Sequence, residues 1–81
     1  MIAEERYRVQ RAILLLGNFT ASEIQSLTEL QPEEVIESLL KADALEVRQI
    51  SPSHVKRFNL TDKGIDHLLE QQRLTFIELK K

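Results

Sequence analysis

The sequence predicts one α+β domain, and the spacing of its apolar residues is the main reason. Over about the first 45 residues the apolar side chains recur every three or four positions, as in amphipathic helices. Over residues 45–60 they approach alternation, which is typical of strands, and a turn-forming Ser-Pro-Ser-His run divides that stretch. Helical spacing then returns. With 81 residues the chain has room for one core, which all these elements must share.

The first helix is predicted over about residues 3–16. Its apolar stripe, Val9, Ala12, Ile13 and Leu16, has helical spacing. Gly17 follows the stripe and can adopt the left-handed conformation that ends many helices. Further apolar residues lie off the stripe, so the apolar surface is wider than one core contact requires: Tyr7, Leu14 and Leu15.

A short second helix is expected to begin at Thr20. Thr20 and Glu23 have the spacing of a capping box, in which a hydroxyl and a carboxylate satisfy free backbone amides at the helix start. Ile24, Leu27 and Leu30 are expected to face inward.

A third helix is expected to begin at Pro32, since proline suits the first helical position. Glu33 and Glu34 follow, at the positive end of the helix dipole. The apolar face of this helix is predicted to contain Val35, Ile36, Leu39 and Leu40.

A hairpin over about residues 45–61 and a last helix over about residues 62–79 complete the prediction. The hairpin has apolar residues at or near alternating positions: Val47, Ile50, Val55, Phe58 and Leu60. Thr61 is the expected N-cap of the last helix. The apolar positions of this helix include Ile65, Leu68, Leu69, Phe76 and Leu79, and Leu74 and Ile77 broaden the stripe.

This order of elements resembles that of winged helix-turn-helix domains of the small transcriptional-regulator type. The segment VKRFNLTDKGIDHL is similar to the second wing strand of that family running into its last helix. The family often has an aromatic-x-Leu-Thr-x-x-Gly run there, and this chain has Phe58, Leu60, Thr61 and Gly64 at those positions. The resemblance covers nearly the whole chain as a single domain, residues 1–81.

The resemblance assigns residues 20–44 to the helix-turn-helix and residues 45–61 to the wing. It implies that the third helix lies in the major groove of DNA and that the wing contacts phosphate or the minor groove. The chain departs from the family at Ala44, where glycine is common before the first wing strand. Asp43 can supply left-handed geometry there instead.

The charge distribution divides the middle of the chain. Residues 20–46 contain seven acidic residues and one basic residue, whereas residues 47–63 contain four basic residues and one acidic residue. The predicted helix-turn-helix is therefore acidic and the predicted wing is basic.

The predicted recognition helix is a poor match for DNA. The residues available for base contacts are Gln31, Ser38 and Lys41. The same outward side has Glu33, Glu34 and Glu37, and each glutamate near a phosphate opposes binding by about 0.5–1 kcal/mol. Three interpretations remain: an ordinary solvated face, a groove-reading helix, and a docking surface for a basic protein partner.

The wing is the better candidate for contact with nucleic acid. Arg48, His54, Lys56 and Arg57 are close together in the hairpin. Alternation places Lys56 on the face opposite Arg57, so these side chains cannot all point the same way. The alternative is that they are ordinary solubilising charges.

Two functional hypotheses of different classes follow. In the first, the protein is a small dimeric DNA-binding regulator that contacts the backbone of duplex DNA mainly through the wing. In the second, it is a protein-interaction module that uses the acidic third helix or the apolar terminal helices and does not bind DNA.

A homodimer is expected because the terminal helices have more apolar surface than one core needs. The residues assigned to its interface are Tyr7, Leu14, Leu74, Phe76, Ile77 and Leu79. The alternative is that these residues pack on one another within one chain.

Catalysis, cofactors and metal sites are not expected. The chain has no cysteine, and its two histidines are far apart. His67, although close to Asp66 and Glu70, is interpreted as a helix-surface residue. The sequence has no long apolar run and no signal-peptide pattern, so no membrane segment is expected and a cytoplasmic location is.

Overall fold

The computed structural model describes residues 1–50 and 55–80 of the chain. Within them, four helices and a three-stranded antiparallel sheet form an α+β fold. The elements are α1 (Ala3–Leu16), β1 (Asn18–Thr20), α2 (Ala21–Thr28), α3 (Glu33–Lys41), β2 (Leu45–Ile50), β3 (Val55–Leu60) and α4 (Asp62–Leu79). This layout is compatible with a winged helix.

One hydrophobic core lies between the helices and one face of the sheet. At its centre the rings of Phe19 on β1 and Phe58 on β3 stack with their centroids 5.5 Å apart. Each large apolar side chain in such a core contributes about 1.5–3 kcal/mol through burial. The core residues are Val9, Ala12, Ile13, Phe19, Ile24, Val35, Ile36, Leu39, Ala44, Leu45, Phe58, Leu60 and Leu68.

The strand β1 was not predicted from the sequence. It pairs with β3, so that the strand order is β1-β3-β2. The Leu60 N–H also donates to the Gly17 carbonyl oxygen at 2.7 Å. A strand of three residues is too short to show alternation, and its last residue is also the N-cap of α2. As a result, β1 attaches the β2–β3 hairpin to the helices.

The predicted helix ends are confirmed at three places. The Thr20 hydroxyl accepts from the Glu23 N–H at 3.1 Å, and the Glu23 carboxylate accepts from the Thr20 N–H at 2.8 Å. The Thr61 hydroxyl accepts from the Gly64 N–H at 2.9 Å, which caps α4. Gly17 ends α1 with φ at 68°.

The start of α3 differs from the prediction by one residue. Pro32 is the N-cap, and its carbonyl oxygen accepts from the Ile36 N–H at 3.0 Å. The turn before β2 contains Asp43 with φ at 58°, which is the left-handed geometry expected there.

Several residues assigned to inward faces are exposed: Leu16, Leu27 and Leu40. Leu27 is 59% exposed because α2 has only eight residues, and Ile24 and Thr28 occupy its buried positions. In the hairpin, Val47 and Val55 are also exposed. Val47 is directly opposite the buried Phe58 but lies on the edge strand β2, and Val55 lies three residues before Phe58, towards the tip of the hairpin.

Candidate nucleic-acid interface and partner surfaces

The register of the β2–β3 hairpin decides which basic residues share a face. Arg48 is directly opposite Arg57, and Gln49 is directly opposite Lys56. Directly opposed residues point to the same side of a sheet, and neighbours along a strand point to opposite sides. Arg48 and Arg57 therefore lie on one face and Lys56 on the other, as alternation predicted.

Arg57 is engaged within its own chain. It donates to the Asn18 side-chain oxygen at 2.6 Å and forms an ion pair with Glu23 at 3.4 Å. The backbone hydrogen bond from Thr20 lowers the pKa of the Glu23 carboxyl, and the charge of Arg57 lowers it further. Arg57 thus connects β3 to β1 and to the capping box of α2, a role that was not predicted from the sequence.

Arg48 and Lys56 are the available cations of the hairpin. Both are exposed, and neither has an ion-pair partner among residues 1–50 and 55–80. A shallow depression of about 190 Å³ on the outer face of the sheet brings Arg48 and Arg57 together with Asn18, Glu46 and Asn59. His54, the fourth residue assigned to the wing, lies outside the described residues.

The outward side of α3 is acidic, as the sequence indicated. Glu33, Glu34 and Glu37 are all exposed, while Val35, Ile36 and Leu39 form the buried face. The candidates for base contacts, Gln31, Ser38 and Lys41, are exposed on the same element or just before it.

The polar candidates on α3 are close to its acids. The Lys41 Nζ atom is 4.0 Å from the Oε1 atom of Glu37, which lies one helical turn away. With its amide oriented to satisfy its neighbours, Gln31 donates to the Glu33 carboxylate at 3.1 Å. A phosphate approaching either residue would therefore also approach a carboxylate, which opposes binding.

The terminal helices pack against each other, and some of the predicted interface residues take part. The ring centroids of Tyr7 and Phe76 are 6.2 Å apart, and the Arg6 guanidinium donates to the Glu78 carboxylate at 2.7 Å. The Gln72 amide donates to the Tyr7 carbonyl oxygen at 3.1 Å. Leu14 packs against the core of its own chain.

The predicted interface residues of α4 do not form one patch. Leu74, Phe76, Ile77 and Leu79 are all exposed. Successive residues of a helix differ by about 100° around its axis. Leu74 and Ile77 therefore lie on one side of α4, and Phe76 and Leu79 lie on another.

Two residues of an apolar stripe on α4, Ile65 and Leu69, were missed as interface candidates, whereas its third residue, Phe76, was predicted. Ile65, Leu69 and Phe76 lie within about 40° of one another around the helix, and all three are exposed, Leu69 by 52% and Phe76 by 45%. With Gln72 and Leu79 they have the alternating four- and three-residue spacing of a coiled-coil seam. That spacing was the signal in the sequence that could have identified them.

No protein-family model matches the chain, and no curated protein is detectably similar to it. Within the described part of the chain, none of the helices combines the length and apolar composition needed to cross a membrane. Over the same residues, no three His, Cys, Asp or Glu side chains lie together as metal ligands would.

Proposed function

We propose that the protein is a winged-helix DNA-binding protein that acts as a homodimeric regulator and contacts the DNA backbone through its β2–β3 hairpin, the wing. The observation on which this rests is the exposure of Arg48 and Lys56 without ion-pair partners in the described residues. They lie on opposite faces of a hairpin that extends beyond the core. A ribbon with a cation on each face suits a groove, where phosphates lie on both sides.

The acidic α3 favours shallow docking over deep insertion of that helix. Three exposed glutamates oppose close approach to phosphate, and Lys41 is next to one of them. Contacts from the wing would supply most of the affinity, which would depend little on base sequence. Two wings in a dimer would double the number of phosphate contacts, and a subunit with a net charge of −2 needs that gain.

The α4 stripe, defined as Ile65, Leu69 and Phe76, supports a dimer. A two-fold dimer would bury these residues against their counterparts, with Leu79 and Tyr7 at the edge. The original assignment of Leu74 and Ile77 to the same interface is less compatible with this face of α4, and Leu14 already packs within its own chain.

Charge reversal tests the wing. Arg48→Glu and Lys56→Glu should each weaken binding to duplexes of any sequence by about tenfold at low salt, since each removes a phosphate contact and adds repulsion. Arg11→Glu is the matched control, because Arg11 is exposed on α1 and the substitution changes the net charge by the same amount. Equal effects of all three substitutions would show a response to net charge alone and would contradict the wing assignment.

The exposed acids of α3 favour a second candidate function, a docking module for a basic protein partner. A lysine-rich amphipathic peptide is a direct probe of that surface. Glu33→Gln with Glu37→Gln should abolish its binding. Glu46→Gln with Asp66→Asn should not, because these two exposed acids lie on β2 and α4. Tight, saturable peptide binding without any DNA binding would favour this function over the first.

A further inference from the structure

Three leucines are exposed together where α1 packs against α2. Leu15 and Leu27 line one shallow depression of about 250 Å³, and Leu16 and Leu27 line a second one of about 400 Å³. Because Leu27 belongs to both, the two depressions adjoin along the same pair of helices, and together they form the α1–α2 groove. All three leucine side chains are exposed, and adjacent exposed apolar residues of this kind are typical of an interaction site.

One end of the α1–α2 groove is positively charged. Arg8 and Arg11 line the depression that contains Leu15, and none of the described residues that line it is acidic. Arg8 donates to the Thr28 carbonyl oxygen at 3.1 Å, which holds its guanidinium beside the groove. Within the described part of the chain neither arginine forms an ion pair, although Glu4 lies one turn before Arg8. Both arginines therefore have N–H groups that can donate to an approaching carboxylate.

The other end of the α1–α2 groove has little charge to offer a partner. Glu23 lines it, but its carboxylate already accepts from the Thr20 N–H at 2.8 Å and is 3.4 Å from the Arg57 guanidinium. The other polar residues there, Ser22 and Ser26, are neutral. The two arginines thus decide the charge of the groove, and they favour an acidic partner over a basic one.

The α1–α2 groove lies away from the face of α1 that packs against α4. Tyr7 contacts Phe76 of α4, and Arg8 and Leu15 lie about 80–100° from Tyr7 around the helix. A dimer through the α4 stripe would therefore leave the groove open. None of the hairpin residues lines the groove, so this inference does not depend on DNA binding.

We propose that the α1–α2 groove docks an acidic amphipathic helix of another protein. Its apolar side chains would fill the two depressions, and its carboxylates would pair with Arg8 and Arg11. All the lining residues belong to α1 or α2, so a partner meets side chains and not a strand edge. It must then satisfy its own backbone hydrogen bonds, as a helix does. The leucines would supply most of the affinity, and the arginines would select the acidic partner.

Two designed peptides test the proposal on the unmodified protein. The probe is an amphipathic helical peptide of about 15 residues with leucines along one face and glutamates beside them, and the control peptide has lysines in place of the glutamates. In ¹H–¹⁵N correlation spectra the glutamate peptide should give saturable shifts at amides of α1 and α2, with a Kd on the order of 100 μM. The lysine peptide should bind there at least about tenfold more weakly. No saturable binding of the glutamate peptide, shifts confined to other elements, or equal binding of both peptides at α1 and α2 would overturn the proposal.

Matched variants locate the binding surface. Leu27→Gln should weaken binding of the glutamate peptide by about tenfold, and Arg11→Gln should weaken it by about threefold, since an exposed ion pair contributes less than a buried leucine. Leu74→Gln on α4 and Arg48→Gln on β2 make the same changes at exposed positions elsewhere, and both should bind the peptide as the unmodified protein does. The dispersion of the amide resonances shows whether each variant is folded. Equal affinities of folded Leu27→Gln and Leu74→Gln would overturn the assignment.

A second copy of the chain is the competing occupant of the α1–α2 groove. Sedimentation distinguishes it from another protein, because Leu27→Gln should have the same mass in solution as the unmodified protein. If Leu27→Gln instead dissociates an oligomer that the unmodified protein forms, a second copy covers the groove and the proposal is overturned.

Discussion

Gly64 of α4 lies against the backbone carbonyl group of Ala44, where the chain enters the hairpin. A methyl group at Gly64 would overlap the Ala44 carbonyl oxygen and would lie 2.9 Å from its carbonyl carbon. The same oxygen accepts from the Thr61 N–H at 3.1 Å and from the Thr61 hydroxyl at 3.2 Å. The Leu-Thr-x-x-Gly run thus joins the start of the last helix to the base of the hairpin.

The first prediction concerns this close approach. Gly64→Ala should lower the free energy of unfolding by about 3 kcal/mol, since the methyl group must displace backbone and not a flexible side chain. Gly17→Ala is the matched control: its site is open, but φ of 68° costs a non-glycine residue about 1–2 kcal/mol. Urea unfolding measures both. A smaller loss at Gly64 than at Gly17 would contradict the close packing.

The second prediction concerns acid stability. The pKa of Glu23 is held below its ordinary value of 4.5, first by the backbone hydrogen bond from Thr20 and then by Arg57. A carboxyl with a lowered folded-state pKa stabilises the fold above its unfolded pKa, and this stabilisation is lost as the pH falls through the folded-state value. Acidification below pH 4.5 should therefore destabilise the unmodified protein more than it destabilises the Glu23→Gln variant.

Urea unfolding at neutral and acidic pH tests this. The difference between the two urea midpoints should be larger for the unmodified protein than for Glu23→Gln. Glu70 also has a lowered pKa because Arg73 donates to it, so Glu70→Gln should show a similar but separate effect. If the Glu23 carboxyl titrates at its ordinary value in the folded protein, the capping-box assignment is wrong.

The third prediction separates the two arginines of the hairpin. Arg57→Gln should lower the melting temperature, since it breaks contacts with Asn18 and Glu23, and should have little effect on DNA affinity. Arg48→Gln should weaken DNA binding and leave the melting temperature nearly unchanged, because Arg48 has no partner to lose among the described residues. Thermal melts and anisotropy titrations of both variants measure this. Similar profiles would contradict the division of roles.

The fourth prediction concerns the dimer. Sedimentation at micromolar concentration should give twice the 9.4 kDa chain mass for the unmodified protein. Leu69→Glu should shift it to the monomer, because a charge in the α4 stripe is incompatible with burial. Leu15→Glu is the control, since Leu15 is 72% exposed on α1, away from that stripe. A monomer for the unmodified protein would refute the dimer.

Local chemistry explains which parts of the fold could be predicted. The capping box at Thr20, the N-cap at Thr61 and the left-handed Asp43 each depend on a few neighbouring residues, so the sequence shows them directly. The strand β1 depends on pairing with β3, which is almost 40 residues away, and the pattern within three residues does not reveal it.

The candidate sites were less predictable because their residues meet only in three dimensions. The sequence identified Arg57 as basic and close to other basic residues. It gave no sign that Arg57 would form an ion pair with Glu23 and a hydrogen bond with Asn18. Leu27 follows Ile24 at helical spacing, yet α2 is too short to bury both.

The central claim is that the wing binds the backbone of duplex DNA, and the salt dependence of binding tests it most directly. Fluorescence anisotropy with a labelled random-sequence duplex would be measured between about 50 and 200 mM salt. A dimer that contacts two or three phosphates per wing should bind at micromolar concentration, with a slope of log K against log salt of about −4 to −5. No binding at the lowest salt, where electrostatic attraction is strongest, would contradict the claim.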